Sequence, residues 1–140
     1  MPPLKPRLLP LLRQHYPEAR YDGSDPKLIV TFAGPPEVGD LQVWDDGDEA
    51  TMAIGKLTHV HITAYESLPY DPNISEEEIA KRVTEEVLKF LEGFFAERIV
   101  VWTETAKKIA SVGSIEAMPV PLPEGDEAFS WKGRLHPKAG

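Results

Sequence analysis

The 140 residues carry 15 Lys and Arg against 23 Asp and Glu, a net charge of −8. That balance disfavours a phosphate-backbone ligand, which needs basic side chains gathered on one face. With no cysteine, disulfides, thiolate metal sites and cysteine nucleophiles are excluded.

At 41% hydrophobic and 27% charged, the chain has the composition of one globular domain, able to bury about two-thirds of the surface that its unfolded form exposes. The longest uninterrupted apolar run, Ile99-Val100-Val101-Trp102, is far short of the ~20 residues that a membrane helix requires. Neither nucleic acid nor a membrane is therefore an expected partner. Pro6 and Pro10 interrupt the early leucines and no small-residue cleavage site follows, so no signal peptide is read and the expected location is the cytoplasm.

In chain order, Leu8, Leu9, Leu11 and Leu12 with Arg13, His15 and Tyr16 predict a short amphipathic helix entered at Pro6 and strained or split at Pro10. Residues 22–26 read as a loop. Lys27 to Ala33, rich in β-branched and aromatic side chains, predicts a strand ended by Gly34-Pro35-Pro36. Leu41 to Trp44 and Ala50 to Ile54 flank Asp46-Gly47, a dipeptide suited to a two-residue type I′ turn because both central positions need positive φ. Gly55-Lys56 predicts a second two-residue turn, of type II′, leading into Leu57 to Tyr65. Two-residue loops at both reversals set a register in which Leu41 faces Met52 and Met52 faces His59, with Val43, Ala50 and His61 in the next row. On that reading His59 and His61 share a face with Leu41, Val43, Met52, Ile54 and Leu57. Trp44, Thr51, Thr58, Val60 and Ile62 occupy the other.

A long helix follows. Ser75 and Glu78 form an S-x-x-E capping box, Ile74 and Ile79 stand at the positions of a hydrophobic staple, and Glu76 to Glu78 suit the positive end of the helix dipole. Ile79, Val83, Val87, Phe90, Leu91 and Phe94 make one apolar stripe on a helix running to about Ala96. Leu88 and Phe95 project off that stripe and need a second cover, from the N-terminal helix, the C-terminal tail or another subunit. Arg98 to Thr103 reads as a strand buried on both faces, with room for a parallel crossover from the meander, and Ser114 to Met118 as a weaker strand. From Pro119 onward, alternating prolines and then Phe129, Trp131 and Leu135 predict an extended tail docked on the domain or on a partner.

These elements predict an α+β fold of two layers. A five- or six-stranded, mostly antiparallel sheet carries the long helix on one face, with a short N-terminal helix beside it. Residues 1–118 form the domain and 119–140 the proline-rich tail. Common phosphate-loop, dinucleotide, nucleophile-elbow and H-E-x-x-H motifs are missing, which favours a non-enzymatic module binding a basic protein or a second copy of itself. The candidate partner surface is Trp44, Thr51, Val60, Ile62, Phe129 and Trp131, with Leu88, Phe95 or sheet edges serving self-association. Tyr65, Tyr70, Trp44 and Trp102 suggest a binding face as well. In size and charge the chain is analogous to bacterial toxin-neutralising immunity proteins, a comparison of composition alone. The competing expectation is a small metal-dependent hydrolase: His59 and His61 lie two apart on a strand and point the same way, and Asp45 or Asp48 would complete a site for zinc or another divalent metal.

Overall fold

The computed structural model describes residues 4–21 and 23–135. Its first helix, α1 (Lys5–His15), enters through Pro6 and continues through Pro10 as one helix. Leu4, Leu8 and Leu12, four residues apart, are fully buried while Pro10 is exposed. The hydrogen bond that proline forfeits is thus set against a leucine seam, and the predicted split does not occur.

Two four-stranded antiparallel sheets replace the single sheet expected from sequence, within the same α+β class. The first is a meander of β1 (Leu28–Phe32), β2 (Leu41–Asp45), β3 (Ala50–Ile54) and β4 (Thr58–Ile62), in that spatial order. After α2 (Glu76–Phe95), the chain builds a second sheet from β5 (Ile99–Glu104), β6 (Ile109–Ser114), β7 (Ala128–Ser130) and β8 (Gly133–Leu135), ordered β6-β5-β7-β8. Among the described residues no parallel crossover forms. Instead β5 folds straight back on β6 through a 3-10 turn at Thr105–Lys107, with Lys108 in the left-handed region at φ 58°. That reversal contains no Gly or Asn to announce it, which is why β6 goes unread and a strand at 114–118 is predicted where Ile115–Ala117 is a 3-10 turn.

β5 is covered on both sides. Val101 joins the main core, while Val100 and Trp102 pack with Met118 and Ala128 in a smaller cluster. The segment predicted as an extended tail supplies β7 and β8, and β7 pairs with β5. Residues 136–140 lie outside the described residues. Asp126 ties the 105–108 reversal to this segment by accepting hydrogen bonds from the Thr105 hydroxyl and backbone N–H. Those bonds hold its carboxyl below the usual range, the hydroxyl contributing most. A depressed folded pKa means stability that is present above the unfolded carboxylate value and lost as pH falls through the lower folded one. Asp126→Asn should therefore lower the melting temperature at neutral pH, with the gap to wild type closing in acid.

α2 packs against α1, β4 and β5. Its stripe of Val83, Val87, Leu91 and Phe94 meets Leu41, Val43, Met52 and Ile54 in one fully buried cluster. The Ser75 hydroxyl caps the helix by accepting the Glu78 N–H at 3.1 Å. Ser75→Ala should cost about 1 kcal/mol, read as a lower urea midpoint at unchanged slope. Leu88 packs against the main core, and Phe95 meets Tyr16, Phe32 and Trp131, so both are covered from within the chain. Among the described residues no helix is long and apolar enough to cross a membrane.

Candidate functional site

The meander's register decides which side chains face outward. In the β2–β3 hairpin Asp45 pairs with Ala50, and the Asp46 N–H donates to the Glu49 carbonyl, placing Gly47 and Asp48 at the centre rather than Asp46 and Gly47. Gly47 takes φ 88°, and the Asp45 carboxylate accepts its N–H at 2.9 Å. Pairing slides by two residues relative to expectation, so Leu41 opposes Ile54 and Val43 opposes Met52. An even slide preserves the faces.

The β3–β4 reversal has the opposite consequence. Ile54 pairs with Thr58 across three residues, Gly55, Lys56 and Leu57, instead of two. An odd slide exchanges the faces of β4. Val60 opposes Met52 and Ile62 opposes Ala50, turning Val60 and Ile62 into the core and away from the partner surface to which they were assigned. His59 and His61 oppose Ala53 and Thr51 on the outer face, and both are exposed. The period-2 pattern, apolar at 60 and 62 and polar at 59 and 61, points to this arrangement and outweighs the turn rule.

Outward from the meander stand Gln42, Trp44, Thr51, Ala53, His59 and His61, with Trp44 and Thr51 half-buried. The His59 and His61 rings are 5.3 Å apart, edge to face. Thr51 bridges the sheet to the acidic turn: its hydroxyl donates to Asp46 and lies 3.1 Å from His61 Nδ1, which is 3.7 Å from a Glu49 oxygen. Asp45 is turned away, its second oxygen accepting the Lys5 backbone N–H at 2.9 Å. Among the described residues no group of three or more His, Asp or Glu converges closely enough to hold a metal ion.

Past β4 the chain runs along the same end of the molecule. Asp48 and Glu49 line a cavity of about 430 Å³ together with Tyr65, Tyr70, Asp71 and Ile79. The two tyrosine rings are 5.2 Å apart and tilted by 59°. Trp102, grouped with them from sequence, is buried in the second sheet's cluster.

A second depression, of about 600 Å³, opens where α1 ends. Tyr16, Phe32, Phe95 and Trp131 line it, with Tyr16–Phe32 and Tyr16–Phe95 centroids 5.3 Å apart and Phe95–Trp131 5.0 Å. Burial, aided by the nearby Glu92 charge, raises the Tyr16 phenol above its ordinary pKa, which keeps it neutral. Trp131 thus serves to join the C-terminal strands to α2, and Phe129 is buried opposite Val101. Sequence spacing gives no hint of this cluster, because its members come from four separate segments.

Arg7, Arg20, Arg82, Arg98, Lys132 and Arg134 pair with Glu77, Asp40, Glu78, Glu92, Glu97 and Glu127. Among the described residues no Lys or Arg side chain pairs with Asp46, Asp48, Glu49 or Asp71. No protein-family model, curated protein or solved structure gives a significant match to this chain.

Proposed function

We propose that this protein is a non-enzymatic interaction module that binds a basic protein through the β2–β3 turn and the adjoining outer face of the first sheet. The supporting observation is that Asp46, Asp48 and Glu49 gather at one turn with Asp71 lining the same cavity as Asp48 and Glu49, and that none of the four pairs with a Lys or Arg among the described residues. A negative rim of this kind accelerates encounter with a cationic surface and fixes its register. Trp44, half-buried beside it, adds an amphipathic contact area.

The test is binding of a lysine-rich peptide measured across ionic strength. Affinity should fall as salt rises, because these charges are exposed and screened. Asp48→Lys/Glu49→Lys should weaken binding about tenfold at low salt, well beyond the effect of Glu116→Lys/Glu124→Lys, which changes net charge equally but elsewhere. Equal losses in the two double variants would mean that overall charge, and not this surface, attracts the peptide.

A further inference from the structure

We infer that the cavity between the β2–β3 turn and residues 63–79 is a receptor for an alkylammonium group, as borne by a lysine side chain of the basic partner. The inference rests on the proposed acidic interaction surface and names what one part of it recognises. Tyr65 and Tyr70 present two tilted rings 5.2 Å apart at the cavity, and aromatic faces carry the negative part of a quadrupole that attracts cations. Asp48, Glu49 and Asp71 add carboxylates to the lining, and no basic residue lines the space. The Asp71 carboxylate also accepts the Asn73 N–H at 2.9 Å, which fixes its place within the 71–73 turn. Ile79, half-buried on the first turn of α2, gives an apolar floor suited to a methylene stem. A volume of about 430 Å³ accommodates one such side chain and its head group.

The site differs from the rest of the acidic surface in asking for shape as well as charge. A carboxylate patch alone attracts any cation, whereas ring faces also reward an alkylammonium group seated over them and leave its neutral isostere without the electrostatic term. Tyr70 is 73% exposed, so removing its ring takes away recognition without opening the core.

The experiment is an NMR titration of the full chain with choline and, separately, with 3,3-dimethyl-1-butanol, its uncharged isostere. Choline should shift Tyr65, Tyr70, Asp48, Glu49 and Asp71 resonances saturably, and the neutral isostere should not. Tyr70→Ala should weaken choline binding about tenfold. The same variant should also weaken binding of the lysine-rich peptide, but by less than Asp48→Lys/Glu49→Lys does, since the turn carboxylates remain. Equal binding of the isostere, choline shifts located elsewhere, or undiminished choline binding by Tyr70→Ala would overturn the receptor assignment. In each case the acidic surface itself would still be judged by the Asp48→Lys/Glu49→Lys comparison.

Discussion

Replacing Phe94 by alanine should lower the free energy of unfolding by about 3–5 kcal/mol, the range for emptying a buried aromatic site. Phe94 is fully buried, and its ring lies 5.8 Å from Phe90 and 5.7 Å from Trp131. It lies in the core cluster that the long helix forms with the meander, and through Trp131 it reaches the C-terminal segment. For a domain of this size, total stability is typically about 5–15 kcal/mol, so the loss would be a large fraction. Urea unfolding followed by tryptophan fluorescence checks it directly. Phe90→Ala, which truncates a half-buried ring on the same helix, should cost markedly less. Equal costs would mean that Phe94 does not occupy the centre of the core.

Gly55→Ala should destabilise the protein by about 3 kcal/mol, far more than a surface substitution ordinarily does. Gly55 adopts φ 49°, and a Cβ there would overlap the Val38 carbonyl oxygen and stand 2.8 Å from the Gly39 Cα. Both the left-handed strain and the backbone collision must be relieved by moving the β3–β4 reversal. Gly125→Ala makes the control, because φ is 87° but nothing lies within 4 Å of the added carbon. Its cost should stay near the conformational term, about 1 kcal/mol. Thermal melting of the two variants side by side reads the difference.

The same contact explains why the sequence misleads at this reversal. Gly55-Lys56 satisfies the local requirement of a two-residue turn, and nothing within the hairpin rejects it. What lengthens the loop is remote: the Gly55 N–H donates to the Asp40 carbonyl at 2.8 Å and the Lys56 N–H to the Val38 carbonyl at 3.1 Å. These bonds come from the loop before β2. The alternation of Val60 and Ile62 with His59 and His61 contains the right answer, since burial of two branched side chains outweighs a turn preference.

Elsewhere local chemistry was sufficient. Ser75 caps α2, and the Val83, Val87, Leu91, Phe94 stripe faces the meander, because a cap and a helical repeat depend on near neighbours. The second sheet was not legible as a sheet. Its hairpin turns through Thr105–Lys107 without a turn residue, and β7 is only three residues long. Of the candidate surface, Trp44 and Thr51 stand where alternation puts them and the acidic turn lies beside them. The pairing of Tyr65 with Tyr70 depends on the path of residues 63–74, which no periodic signal describes.

The surface itself is tested most directly by mapping amide shifts while a lysine-rich peptide is titrated into the isotopically labelled full chain at low salt. Changes should concentrate at Trp44, Asp46 to Glu49, Thr51, His59, His61, Tyr65 and Tyr70, and should fade on adding salt. Changes centred instead on Tyr16, Phe32, Phe95 and Trp131, or spread evenly over every acidic side chain, would contradict it.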